Sequence, residues 1–235
     1  MQMRASEFSR FDEMTQLYYL KTLTVVMEET KSIELYSNTF RSVTKAAFRC
    51  IKTPRLCDAS ADVLTTALCR SHKAKEFFRV ADTVCHLVLR LHTKVAAEQV
   101  GIAATIGRIL FYIPLYEYGE LFDTLLGALL DFLKNTKECD LFAAAYLSLS
   151  NVPKQNPAVY LRTYIATVFN VVLGLEAYYR ENKLQYAAAC AAAFECVEIW
   201  ISYVLDTADV AELSDGIQQI FNWAIEVIRT SKVSF

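Results

Sequence analysis

The sequence predicts an all-α fold, a single domain over residues 1–235 built from about nine or ten antiparallel helices. Three observations carry that prediction. Six glycines and four prolines leave 235 residues with little punctuation, no stretch shows the alternating β-branched pattern of strands, and a 54% hydrophobic content supports one large core. The length exceeds a minimal domain and is short for two generous ones.

In chain order, residues 3–14 and 16–29 read as two short helices and Ile33 to Thr53 as a third. Pro54 limits that helix, because proline has no amide donor and disfavours helix in the residue before it. Further patterns run from Ala59 to Ser71, Ala74 to Lys94, Glu98 to Tyr112 and Gly119 to Asn135, with a shorter one from Cys139 to Leu149. The segment SNVPKQNP, Ser150 to Pro157, is the clearest loop. Pro157 suits the first turn of a helix reaching Arg180. Lys183 to Leu205 forms the next, and Asp206 or Thr207 caps a last helix ending near Arg229.

Twenty-four basic against 26 acidic residues give a net charge of -2, which predicts no nucleic acid partner and no membrane surface. The longest uncharged runs, such as Thr163 to Leu175, hold 13 residues, short of the roughly 18 to 20 that span a bilayer. The charged N-terminus MQMRASEFSRFDEM lacks the apolar segment of a secretory signal. Seven scattered cysteines (Cys50, Cys57, Cys69, Cys85, Cys139, Cys190, Cys196) read as reduced core residues of a cytoplasmic protein.

Little in the chain points to catalysis. His86 and His92 stand six apart, on opposite sides of a helix, and there is no CxxC, HExxH, GxSxG or glycine-rich phosphate loop. Cys85 and Cys190, in VCHLVLRL and AAACAAAF, read as inert packing thiols. Asp12 with Glu13, Glu28 with Glu29, and Asp206 with Asp209 and Glu212 read as helix-surface or helix-start charges. By elimination the expectation is a non-enzyme without cofactor or metal, a binding or scaffolding protein. Against that background FRSVTKAAFRC, Phe40 to Cys50, places Arg41, Lys45 and Arg49 at steps of four, about one helical turn. The cations form one stripe, either a solvated face or the floor of an anion site.

The N-terminal fifty residues add a resemblance. SRFDEM, Ser9 to Met14, resembles the "ERYDEM" of the first helix of the 14-3-3 family, and LYSNTFRSVTKAAFR resembles its "LLSVAYKNVIGARRAS", with the family's spacing kept between the two blocks. Val84 to Leu91, Gly107 to Ile113 and Asn156 to Phe169 are similar, in the right order, to its "ICNDVLSLL", "GDYYRYL" and "HPIRLGLALNYSVF". Near the end, AAAF and IFNWAI resemble "KTAF" and "RDNLTL".

The resemblance implies a concave array of antiparallel helices and a non-catalytic adaptor function in signalling. The family's groove binds phosphoserine or phosphothreonine peptides through two arginines, a lysine and a tyrosine, and asparagines hold the peptide backbone. Arg41 falls on the groove lysine. The next groove arginine, seven residues on, is replaced by Phe48; seven residues is about -20° round a helix, so Arg41 and Phe48 share a face. Lys45 lies about 40° from Arg41 and Arg49 about 80°. The groove tyrosine is kept as Tyr112, but the arginine before it is Phe111, with Arg108 one turn earlier as the only substitute nearby. One asparagine is replaced by Ile165, its counterpart survives as Asn222, and the groove tryptophan becomes Glu226.

A hydrogen bond to a charged group contributes about 1.5 to 3 kcal/mol, so losing two arginines removes about 3 to 6, or roughly a hundredfold to ten-thousandfold in affinity. The expected partners are phosphorylated or acidic peptide segments, held weakly by Arg41, Lys45, Tyr112, Asn222 and Arg108. A homodimer through the N-terminal helices is also implied, although Phe8 stands where the family keeps a small residue. Pro54 breaks what is one long helix in the family, and the longer segment between Tyr112 and Pro157 implies an extra short helix. The competing expectation is a HEAT- or TPR-like α-solenoid segment of a larger complex, with no phosphate site and with surface aromatics such as Tyr18, Tyr19, Tyr178 and Tyr179 meeting partners.

Overall fold

The computed structural model describes residues 8–29, 37–73, 85–92, 95–112, 115–205 and 213–231, without the side chains of 37–41, 69, 71–73, 112, 115–118 and 231. Among these residues every regular element is helical, as predicted: α1 (Glu13–Glu29), α2 (Ser37–Cys50), α3 (Pro54–Lys73), α4 (Ala96–Tyr112), α5 (Leu115–Asn135), α6 (Cys139–Asn151), α7 (Ala158–Glu181), α8 (Lys183–Val204) and α9 (Ser214–Ser231). Residues 85–91 add a short helical stretch. The chain divides into two compact units, Met1–Ala128 and Leu129–Phe235, and each is taken by itself.

In the first unit α3 is the central helix, with α1, α2 and α4 packed on it. Its Ala61, Val63, Leu64, Ala67 and Leu68 are completely buried, and α1 adds Leu20 while α4 adds Ile102, Ile106 and Ile109. Asp12 sets the start of α1: its carboxylate accepts from the Thr15 N–H at 3.0 Å and the Thr15 hydroxyl at 2.6 Å. These bonds hold the Asp12 carboxyl below its usual range. The second predicted helix therefore starts at Glu13, not at residue 16, and takes in Met14; most of the first, expected over residues 3–14, lies outside the described residues.

Pro54 does end the preceding helix, but it also opens α3, five residues ahead of the expected Ala59. A proline in the first turn loses no intrahelical bond. Opposite this corner, Gly101 of α4 lies against Ile51 so closely that a Cβ would meet the Ile51 carbonyl oxygen inside van der Waals distance and Ile51 Cγ1 at 2.9 Å.

In the second unit α8 is central, packed on α6 and α7, with α9 on α7. Buried aromatics place their polar tips on backbone carbonyls: Tyr146 donates to Val171 O at 2.8 Å, Trp200 Nε1 to Leu149 O at 3.0 Å and Tyr186 to Lys137 O at 2.7 Å. Tyr179, expected at the surface, is buried; its hydroxyl meets Thr230 Oγ1 at 2.9 Å and its ring meets Trp223 edge-on. The expected loop SNVPKQNP is partly helical, since α6 runs on to Asn151 and a 3-10 turn covers Val152–Lys154. Pro157 serves as the N-cap of α7 and not in its first turn. Asn182 ends α7 and caps α8, accepting from the Gln185 N–H at 3.3 Å. The expected caps Asp206 and Thr207 lie outside the described residues.

By length and composition α7 and α8 could each cross a membrane, with 39% and 44% of their most apolar windows buried inside the protein. The 13-residue run understates α7, because Arg162 and Glu176 only flank it. Glu195 and Glu198 are exposed near the middle of α8, where a bilayer would charge about 2.5 to 3.5 kcal/mol for each acidic group.

The cysteines are less uniform than predicted. Cys50, Cys190 and Cys196 are buried, but Cys85 is exposed and Cys57 and Cys139 are half-buried. Burial pushes the Cys50 thiol up to about 11 and the Cys190 thiol up to about 12, and raises Cys196 further. Such thiols add stability while the unfolded thiol stays protonated, and lose it as pH rises past an unfolded value of about 8.5. Thermal stability is therefore expected to be flat from about pH 6 to 8 and to fall above about 9. At pH 8 iodoacetamide should label Cys85 rapidly in the folded protein, and Cys190 and Cys196 only in denaturant. Equal labelling of all three in peptide mass maps would contradict this.

Candidate functional site

The basic stripe and its resembled groove positions lie on α2. Lys45 and Arg49 are exposed, whereas Phe48 is 8% exposed and faces the protein. This follows from helix geometry: Thr44, Ala47 and Phe48 with Ile51 form the apolar and small face that packs inward, and Lys45 sits beside its edge. Arg41 belongs to α2 and Tyr112 is the last residue of α4, but their side chains lie outside the described residues.

Around Phe48 the structure supplies a residue the sequence reading missed. The Arg90 guanidinium lies 4.9 Å from the centroid of the Phe48 ring, and Arg90 Nη1 donates to Phe48 O at 3.3 Å. The same Nη1 reaches Glu98 Oε1 of α4 at 2.6 Å, and the His86 ring is 6.3 Å from Phe48. Arg90 thus joins the 85–91 stretch to α2 and α4, with its side chain 36% exposed. A guanidinium over an aromatic face adds a cation–π attraction on the order of 0.5 to 2 kcal/mol. Nothing local announces the pairing, because 42 residues separate the two positions.

Arg108, the substitute offered for the arginine at Phe111, is committed to α3. Its guanidinium donates to Asp58 Oδ1 at 3.0 Å and Asp58 O at 3.1 Å, and pairs with Asp62. Pairs this exposed contribute about 0 to 1 kcal/mol each, but together they fix the guanidinium against α3. A phosphate would have to displace two carboxylates to claim it. Phe111 is half-buried.

The remaining site positions lie in the second unit. Asn222 is exposed on α9 and accepts from Gln218 Nε2 at 2.9 Å. Ile165 is buried in α7, and Glu226 takes a 3.5 Å contact from Arg180, which also pairs with Glu176 at 2.6 Å. The structure therefore brings Phe48 and Arg90 together in the first unit, leaves Lys45 exposed on the same helix as Phe48, holds Arg108 on Asp58 and Asp62, and carries Asn222 in the other unit. Among the described residues no three His, Cys, Asp or Glu side chains form a metal set. No family model, no curated protein and no solved structure matches the chain.

Proposed function

We propose that the chain is a non-catalytic adaptor of 14-3-3 type, a divergent, cytoplasmic member of that family with its concave helical array. It holds phosphoserine, phosphothreonine or phosphate-mimicking peptides more weakly than an intact groove would. The reading rests on the sequence blocks around SRFDEM and FRSVTKAAFRC. The observation that carries it is the Arg90 guanidinium over Phe48: the face shared by Arg41 and Phe48 keeps an arginine although its own sequence position has lost one. Arg41 and Lys45 from α2 and Tyr112 from α4 make the phosphate end of the site, and Arg90, paired with Glu98, adds positive charge beside Phe48. Arg108 braces α3 against α4. The apolar helices α7 and α8 belong to the core of a protein that works in water.

Lys45 is exposed and makes no described contact, so Lys45→Ala should leave folding intact. It is expected to weaken phosphopeptide binding about tenfold, the equivalent of one charge-assisted bond, without changing the binding of the unphosphorylated peptide. Isothermal titration measures both, and equal affinities of wild type and variant for the phosphopeptide would remove Lys45 from the site.

The same reading includes a homodimer. Phe11 and, on α1, Met14, Tyr18 and Val25 form an exposed apolar stripe, with Tyr18 64% exposed. In antiparallel two-fold pairing centred near Tyr18, Lys21 of each copy approaches Asp12 and Glu13 of the other. Tyr18→Asp is expected to convert a dimer into a monomer by analytical ultracentrifugation. A wild-type protein that is already monomeric at tens of micromolar would end this part of the reading.

A further inference from the structure

α9 is apolar over more of its circumference than the fold covers. Ile220 and Trp223 are buried, with the Trp223 ring against Tyr179 of α7 and Phe194 of α8. Beside that buried face, Ile217, Phe221, Ala224 and Ile228 stand within about 60° of one another round the helix. Phe221 is 61% and Ile228 54% exposed, and Ile217 and Ala224 are half-buried. A helix that only closed a core would end its apolar arc at the buried side chains. A second apolar face, continuous over about three turns, marks an interaction surface.

The order of side chains along this face specifies the partner. About a two-fold axis midway between Asn222 and Trp223, antiparallel pairing sets Ile217 of each copy opposite Ile228 of the other and Phe221 opposite Ala224, so each large ring meets a small side chain. The same register brings Asp215 of each copy within one residue, about 1.5 Å of rise, of the level of Arg229 in the other. The two charges lie on the same flank of the stripe, about 40° apart, and in an antiparallel two-fold pair like flanks face each other. Both are exposed, and among the described residues neither makes an ion pair. Each also suits its own end of the helix dipole, so it is the apolar palindrome between them that turns two ordinary end charges into a complementary pair. Parallel pairing would set Asp215 against Asp215 and Arg229 against Arg229, which is repulsive.

We infer that this face pairs two copies of the chain, α9 against α9, antiparallel and centred between Asn222 and Trp223. Four apolar side chains per copy are fewer than a standard interface uses, so the pairing belongs at a Kd of about 100 µM to 1 mM. It is independent of α1. Joined to a pairing through α1, it links dimers into a closed tetramer or an open row; in a chain whose α1 does not pair, it gives a dimer of its own.

Sedimentation velocity of the Tyr18→Asp protein, in which the α1 stripe is disabled, tests it. This protein is expected to be monomeric at tens of micromolar and largely dimeric near about 1 mM at low salt. Adding Phe221→Asp, at an exposed position, should abolish the dimer. Adding Asp215→Arg or Arg229→Asp should each weaken self-association at least about fivefold, while an equal mixture of those two proteins should associate as the parent does, because each supplies the charge the other has lost. Restored association in the mixture also shows that neither variant is misfolded. A Tyr18→Asp protein that stays monomeric to about 1 mM, a dimer indifferent to Phe221→Asp, or a mixture that pairs no better than its components would each overturn the assignment. So would Phe221-dependent binding to phosphatidylcholine vesicles at concentrations where no dimer forms, which would give the face to a lipid surface instead.

Discussion

Trp200→Ala is expected to cost about 3 to 5 kcal/mol, the range for emptying a fully buried aromatic site. The ring has no solvent exposure and its Nε1 donates to Leu149 O in the last turn of α6, so the substitution removes core volume where α8 packs on α6. Against a total stability of about 5 to 15 kcal/mol, that is a large share, and a fall in Tm of about 10 °C follows. Trp200→Phe should cost much less. Leu149 O keeps the bond from the Val152 N–H, so the lost indole donor leaves no orphaned carbonyl, and most of the volume is retained. A Trp200→Ala protein that melts within about 2 °C of wild type would show that α8 is not held through this residue.

Gly101→Ala should lower stability by about 1 to 3 kcal/mol, the cost of overpacking, although the same change in a helix interior normally gains up to about 1. The reversal comes from the Ile51 carbonyl: backbone cannot move aside as a flexible side chain can, and Ile51 is itself 1% exposed. Gly119 and Gly127 of α5 provide the control, because a Cβ at either meets nothing within 4 Å. Their alanine variants are expected to be neutral or more stable. The diagnostic is therefore the opposite sign of the shifts, read from urea midpoints of the three variants. A stabilised Gly101→Ala would mean that α4 does not approach the α2–α3 corner as closely as described, and with it would go the position of Glu98 beside Arg90.

Much of the fold was legible because its signals are local. Sparse glycine and proline announced helices, Pro54 marked the end of α2, and the runs now seen as α4, α5 and α8 were bounded to within a few residues. Errors arose where one residue type has two uses. Pro54 both stops one helix and starts the next, and VPK inside SNVPKQNP is a 3-10 turn because Pro153 suits a first turn as well as a loop. Tyr179 and Cys85 were misjudged because an aromatic pair or an apolar run does not say which face a helix buries.

Of the candidate site, only the part on α2 was legible. Spacing put Lys45 beside Phe48 on one helix, and the structure adds that Phe48 turns inward while Lys45 stays in solvent. Neither Arg90 over Phe48 nor Arg108 between Asp58 and Asp62 follows from any short-range rule. Each joins residues more than forty apart in the chain, brought together by tertiary packing.

The central claim is that a phosphate site survives on the face of Arg41 and Phe48. Titrating one labelled phosphoserine peptide and its unphosphorylated twin into wild type and Arg41→Ala addresses it most directly. The account predicts micromolar binding that depends on the phosphate and is lost in Arg41→Ala; identical weak binding of the two peptides to the wild-type protein would contradict it.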